Sequence, residues 1–225
     1  MKTRRTILIV DDHPIFRHGL AQLINQEHDL EVCGEAEDYH SALTCVERLA
    51  PDLVIVDITL KNMSGIDLIK DLHRYYRTLP MLVISMHEES LYAERSLRAG
   101  ARGYIMKQEA SESVIDAIRQ VLQGRIYASR DVTDRLLTRF VEGQHSTLES
   151  PVHALTDREL EVFRLIGEGL GLSEIADRLN LSAKTIGTYR ERIKDKLGIK
   201  NATELLRYAM KWVEEDHIPQ EKTRK

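Results

Sequence analysis

Apolar residues follow two rhythms along this chain. In the first part, short aliphatic runs recur at residues 6–10, 30–33, 53–58, 81–85 and 103–106. Each is too short for a helix and is bounded by polar or turn-forming residues, so each predicts a buried strand. The segments between them have helical spacing. Phe16, Leu20, Leu23 and Ile24 recur at i, i+4, i+7 and i+8 behind Pro14, a residue suited to a first helical turn. Ala42, Val46 and Leu49 form a second stripe, and Leu68, Ile69 and Leu72 a third. A fourth helix covers 89–99 and stops before Gly100. A fifth carries Val114, Ile115, Ile118, Val121 and Leu122, with Ser111 as its N-cap. Five strand–helix units in sequence predict an α/β fold, a doubly wound (βα)5 parallel sheet with helices on both faces.

Beyond residue 125 the rhythm is helical throughout. Residues 131–141 carry Val132, Leu136, Leu137 and Phe140 at helical spacing, and a polar stretch with Gly143 and Pro151 follows, so 125–150 reads as a linker with a helix. Thr156 with Glu159 is a capping-box pattern ahead of Leu160, Val162, Phe163, Leu165 and Ile166, and glycines 167, 169 and 171 end that helix. Ser173 is expected to open a short helix over 174–179. Asn180, Leu181 and Ser182 make a tight turn, and Ser182 caps a helix over 183–197 that Gly198 stops. A last helix begins at Asn201 or Thr203 and runs through Leu205, Leu206, Ala209 and Trp212. The expected domains are 1–124, the 125–150 linker, an all-α four-helix unit at 151–215, and a polar tail at 216–225.

The composition fits a soluble globular chain: 225 residues, 42% hydrophobic and 30% charged. No apolar run approaches the roughly 20 residues of a membrane helix. The basic N-terminus leads into Asp11 and Asp12 rather than a long apolar stretch, unlike a signal peptide, so a cytoplasmic location is expected. The two cysteines, Cys33 and Cys45, form no metal-binding spacing and are expected to be buried free thiols. Charge is unevenly spread. Residues 1–150 carry 18 Lys+Arg against 23 Asp+Glu, whereas 183–200 hold six basic residues (Lys184, Arg190, Arg192, Lys194, Lys196, Lys200) and two acidic ones. A short basic stretch behind an acidic front suits a nucleic-acid reader joined to something else.

In a doubly wound sheet the chemistry gathers beyond the carboxyl ends of the strands. Here those ends carry Asp11 and Asp12, Asp57, Ser85 and Lys107. Three carboxylates on one rim call for a cation, and hard oxygen ligands suit Mg²⁺. A carboxylate can also act as the nucleophile in phosphoryl transfer, with a lysine and a hydroxyl to receive the phosphoryl oxygens. At the other end of the chain, two short helices joined by a tight turn, the second one basic, are the layout of helix-turn-helix DNA binding. Ile186, Ile193 and Leu197 form the second helix's core stripe. Lys184, Arg190, Lys194 and Lys196 can reach phosphates, and Thr185, Gly187, Thr188 and Glu191 lie off the stripe.

The stretches IVDDHP, VIVDITLKNMSGIDL, VISMH and AGARGYIMK resemble, in order, the receiver domain of two-component response regulators over 1–124. Residues 153–213 resemble the LuxR-type helix-turn-helix, and the joined architecture is similar to the NarL/FixJ family. The resemblance implies a transcriptional regulator, not an enzyme beyond its own phosphoryl transfer and dephosphorylation. Asp57 would be phosphorylated by a sensor histidine kinase. Asp11, Asp12, Asp57 and the Thr59 carbonyl would hold Mg²⁺. Ser85 and Lys107 would grip the phosphoryl group, with Tyr104 as the switch aromatic. The recognition helix would present Gly187, Thr188 and Glu191 to bases of double-stranded promoter DNA. Phosphorylated homodimers and contact with RNA polymerase are the implied assemblies, with no membrane. Gln108 stands where many receivers have proline after the lysine, and Lys61 replaces a frequent proline after Asp57. His13 and His87 are expected at the edge of the site without a metal role.

Two other readings share parts of this pattern. A Mg²⁺-dependent aspartyl-phosphate phosphohydrolase uses the same nucleophile and lysine, but wants a second carboxylate two residues after Asp57, where Thr59 stands. A regulator acting through protein contacts would dock its helical unit on a partner, and would lack the steep salt dependence of DNA binding.

Overall fold

The structure, a computed structural model, describes residues 4–60, 63–86, 89–142, 151–179 and 181–216. The chain divides into two compact units, Met1–Gln144 and His145–Lys225.

In the first unit strands and helices alternate: β1 (Arg5–Val10), α1 (Pro14–Asn25), β2 (Leu30–Ala36), α2 (Tyr39–Leu49), β3 (Leu53–Val56), α3 (Gly65–Tyr75), β4 (Met81–Ser85), α4 (Glu89–Ala99), β5 (Gly103–Met106) and α5 (Ala110–Leu122). The strands pair in parallel in the order β2-β1-β3-β4-β5. The order in which strands are laid down therefore reverses between β1 and β3, and the loops after these two strands diverge to opposite faces, opening a crevice. On one face Ile7, Ile9, Ile55, Leu82, Ile84 and Ile105 pack against Leu20 and Ile24 of α1 and Val114, Ile118 and Val121 of α5. The alternate strand residues Leu8, Val10, Val54, Val56 and Val83 are equally buried, so the sheet is covered on both sides.

Several expected details differ. β2 runs on to Ala36, and Val32 pairs with Ile7 while Gly34 pairs with Leu8, which leaves Cys33 as the extra residue of a bulge. Cys33 and Cys45 are free thiols but only half-buried. β3 stops at Val56, so Asp57 and Ile58 belong to the loop. The N-cap of α5 is Glu109, and Ser111 lies inside its first turn. α6 (Arg130–Glu142), the expected linker helix, packs against α4 within the first unit.

After a 3-10 turn (Pro151–Ala154), the second unit contains α7 (Asp157–Gly167), α8 (Leu172–Arg178), α9 (Ala183–Leu197) and α10 (Ala202–Asp216). The Thr156–Glu159 capping box forms as the sequence predicts. α8 starts one residue before Ser173. Its N-cap is Gly171, whose N–H is accepted by the Glu174 carboxylate at 2.7 Å. Ser182 caps α9, and Gly198 ends it at φ 67°. Asn201 caps α10 by accepting the Glu204 N–H. Phe163, fully buried, stacks near Tyr208 and Trp212 with ring centroids 5.8 and 5.6 Å away. Gly167 does more than end α7: a Cβ there would lie 2.5 Å from the Ala209 carbonyl oxygen, so the glycine permits the close crossing of α7 and α10.

Candidate functional site

The crevice between β1 and β3 receives Asp11 and Asp12 from the β1–α1 loop, Asp57 from the β3–α3 loop and Lys107 from the end of β5. Asp11 and Asp57 are each only 2% exposed. The Lys107 ammonium lies 2.7 Å from both Asp11 Oδ2 and Asp57 Oδ2, and 4.5 Å from the centre of the Phe16 ring. Burial pushes the Asp57 carboxyl up to about 7. Lys107 works against that rise and Asp11 adds to it. Burial also disfavours the Lys107 ammonium, but Asp57 and Asp11 outweigh it and hold the amine above its ordinary value. One ammonium thus bridges two buried carboxylates.

The loop is held closely by backbone contacts. Thr59 donates its N–H to Asp57 Oδ1 at 3.3 Å, and Gly65 donates its own to the Ile58 carbonyl at 2.7 Å. A Cβ on Gly65 would fall 1.9 Å from the Asp57 carbonyl oxygen, so α3 begins pressed against the backbone of Asp57. Ser64 caps α3 through the Ile66 N–H. Glycine at the following position answers no need of the helix, and that mismatch is the signal the sequence offered. Arg17 of α1 grips the Asp11 carbonyl at 2.5 Å and Glu35 of β2 at 2.8 Å.

Ser85 and Tyr104 are fully buried. Lys107 donates its N–H to the Ser85 carbonyl at 2.7 Å, which holds Ser85 and Lys107 side by side. Tyr104 is paired with Val83 and lies on the α4 side of the sheet. His13 lies at the exposed edge of the site, as expected, with its ring toward the carboxylates: Nδ1 is 2.7 Å from Asp12, 3.3 Å from Asp11 and 3.8 Å from Asp57. Lys61, His87, Asn180, most of the tether and nearly all of the C-terminal tail lie outside the described residues. Oxygen donors of Asp11, Asp12 and Asp57 fall within 4.8 Å of one another. That donor set, with its surplus of negative charge, fits a small hard cation.

In the second unit α8 and α9 form the helix-turn-helix corner. Arg158 of α7 braces it by donating to the Leu179 carbonyl at 3.3 Å and to the buried Glu161 at 2.5 Å. Ile186 and Ile193 are buried, whereas Leu197 is only half-covered. Lys184 and Thr188 are exposed, and Thr185, Gly187 and Arg190 partly so. Lys184, Arg190 and Arg192 make no ion pair with any described residue. Lys196 is not available in the expected way, because it is tied to Glu159 at 2.6 Å and to the Ala154 carbonyl at 3.3 Å. Glu191 pairs with Lys194 at 2.8 Å, and the Lys194 side chain is 17% exposed. The Thr188 hydroxyl donates back to the Lys184 carbonyl.

Nothing lies within 4 Å of where a Cβ on Gly187 would stand. Gly187→Ala should therefore stabilise the second unit by about 0.5–1 kcal/mol, the helix cost of glycine, as read in urea unfolding. If the helix backbone seats against DNA at this point, affinity for DNA falls in the same variant. Unchanged affinity would take Gly187 out of the interface.

Family models match both units: one described as "Response regulator receiver domain" over residues 7–119, and one described as "Bacterial regulatory proteins, luxR family" over 153–209. Oxygen regulatory protein NreC of Staphylococcus haemolyticus is 33% identical over 209 residues, covering 91% of this chain and 96% of that protein. RcsB from Salmonella enterica serovar Typhimurium, solved bound to promoter rprA in the presence of phosphomimetic BeF3⁻, superposes with TM-score 0.60 at 29% identity, covering 92% of this chain and 99% of the other. A structure of two RcsB dimers bound to two parallel DNAs gives TM-score 0.56 at 29% identity, covering 92% and 98%. With both units matched in order and a relative aligned along nearly its whole length, the chain belongs to the NarL/FixJ family of response regulators, a receiver domain joined to a LuxR-type helix-turn-helix DNA-binding domain.

Proposed function

We propose that Asp57 is the phospho-acceptor of this regulator, charged by a sensor histidine kinase, and that its phosphorylation controls promoter binding by α9. The observation that carries this reading is the buried trio of Asp57, Asp11 and Lys107, with Asp57 held at the switch point of the sheet. Mg²⁺ bound by Asp11, Asp12, Asp57 and the Thr59 carbonyl would neutralise charge between the carboxylates and the incoming phosphoryl oxygens. The Asp57 carboxylate attacks phosphorus and the donor departs with its electron pair. Lys107 then passes from the carboxylates to a phosphoryl oxygen, and the Ser85 hydroxyl bonds another. Ser85 moving toward the phosphoryl group leaves space on the α4 side of the sheet, where Tyr104 already lies inward. α4 and β5 change shape around it and favour homodimers. Hydrolysis of the acyl phosphate within the same site resets the switch, which is the extent of the chain's own catalysis.

On DNA, Lys184, Arg190 and Lys194 would neutralise phosphates, while Thr185, Gly187, Thr188 and Glu191 face the groove. Lys194 and Glu191 must first exchange their mutual pair for DNA. A dimer would read two related half-sites, as two-fold symmetry requires. The place of action is the cytoplasm, where promoter DNA and RNA polymerase are found. No helix among the described residues is long and apolar enough to cross a membrane.

The test is phosphoryl uptake from acetyl phosphate with and without Mg²⁺, followed by binding to promoter fragments. Wild-type protein should acquire an acid-stable, base-labile phosphoryl group only with Mg²⁺, and bind DNA more tightly afterwards. Asp57→Asn keeps the shape and should lose both responses. Uptake by that variant at the wild-type rate would move the acceptor elsewhere.

A further inference from the structure

His13 occupies the N-cap position of α1, yet its ring makes no capping hydrogen bond. The ring is turned to the carboxylates instead, and its placement is fixed from behind: the His13 N–H is donated to Asp11 Oδ1 at 2.7 Å, and Arg17 holds the Asp11 carbonyl. One donor atom each from Asp11, Asp12, His13 and Asp57 lies within 4.8 Å of all the others, so a single ion can touch all four. The ring is 57% exposed, so it can settle onto an ion or swing away without disturbing the core.

Taking this cluster as the metal site of the proposed phosphorylation, we propose that His13 is its specificity-determining ligand, adding an imidazole nitrogen that draws in borderline transition-metal ions such as Co²⁺. Mg²⁺ is hard, prefers oxygen and keeps several waters, so it gains little from an imidazole. Ions later in the first transition series gain much more from nitrogen, and the difference grows along the series. Coordination uses Nδ1, the atom nearest the carboxylates, and leaves the remaining ring proton on Nε2. The same receiver thus accepts two classes of divalent ion, bound by carboxylates and water in one case and by carboxylates and imidazole in the other.

The experiment is calorimetric titration of the full chain with Mg²⁺ alone and with Co²⁺ alone, for wild type and His13→Ala. Because the chain has nine histidines, only the Co²⁺ that excess Mg²⁺ displaces is counted. In His13→Ala, Co²⁺ affinity should fall by about tenfold or more, while Mg²⁺ affinity stays within about threefold, as expected for loss of a ligand that serves one ion only. Co²⁺ should also give paramagnetically shifted imidazole resonances that Mg²⁺ displaces and that vanish in the variant. Unchanged Co²⁺ affinity, or an equal loss for both ions, overturns the role of His13. Mg²⁺ binding that persists alongside either result leaves the phosphorylation site standing. Failure of both ions to bind wild-type protein would remove the metal site and this inference together.

Discussion

Gly65→Ala should cost the first unit about 3 kcal/mol or more and abolish phosphoryl uptake on Asp57. The magnitude sits at the upper end of overpacking costs, because the obstacle is backbone and not the tip of a flexible side chain. An added Cβ would lie 1.9 Å from the Asp57 carbonyl oxygen and 2.9 Å from the Ile58 Cα. α3 must then withdraw, breaking the Gly65–Ile58 hydrogen bond and tilting the Asp57 carboxylate away from Lys107. Gly19→Ala in α1 is the control, since nothing lies within 4 Å of its Cβ position and the change should be neutral or mildly stabilising. Urea unfolding followed by far-ultraviolet circular dichroism, with phosphorylation measured in parallel, reads both. A Gly65→Ala protein with wild-type midpoint and wild-type uptake would show that the loop yields freely.

Phe163→Ala should be comparably severe in the other unit, at about 3–5 kcal/mol, the usual range for emptying an aromatic site in a core. Phe163 is fully buried and is the ring on which Tyr208 and Trp212 converge, so its loss loosens α7 from α10 and removes the base on which α8 and α9 rest. Trp212 is the chain's single tryptophan, so its fluorescence follows this unit alone. DNA binding should disappear while Asp57 remains phosphorylatable. A variant whose tryptophan emission and DNA affinity match wild type would contradict the assignment of Phe163 as the keystone of the helical unit.

Much of the site was legible because charge stands out against apolar runs. Asp11, Asp12, Asp57 and Lys107 each follow a buried strand directly, and parallel topology sends all those ends to one rim. Caps with a side-chain signature were legible too, as at Thr156 and Ser182. What sequence spacing did not carry was direction. His13 reads as an edge residue, which it is, but not as one whose ring turns to the carboxylates, and Lys196 reads as a free cation until Glu159, 37 positions away, is seen beside it. Spacing left Glu191 open between a groove contact and a partner for Arg190 or Lys194, and in the free protein it pairs with Lys194. Serines at helix starts misled: the N-cap of α5 is Glu109, without a side-chain cap bond, ahead of Ser111, and the N-cap of α8 is Gly171, whose own N–H is accepted by Glu174, ahead of Ser173. At α2 the reverse occurred. Asp38 and Ser41 form a reciprocal capping box, overlooked because serine replaces the usual glutamate. The polar tail of β2 hid its length, since an edge strand with Glu31 and Glu35 facing outward lacks an unbroken apolar run.

The segment that follows α5 has a bearing on how copies of this protein can meet. β5 ends the sheet, and a bare outer edge would offer unpaired N–H and C=O groups to a strand from another molecule. Tyr104 instead donates its N–H to the Tyr127 carbonyl at 2.9 Å, and Tyr127 donates its own to the Arg102 carbonyl at 2.9 Å. Gly103, between them, has no side chain to push this strap away, and a Cβ there would stand 3.0 Å from the Tyr127 carbonyl oxygen. Along Arg102–Tyr104 the backbone groups of this edge are thus already engaged, and a second molecule meeting this stretch touches side chains. Side-chain contacts form and part readily, whereas a continuous sheet propagates to a third molecule and a fourth. The strap favours finite, reversible association on this flank, as the proposed signalling at Asp57 would require.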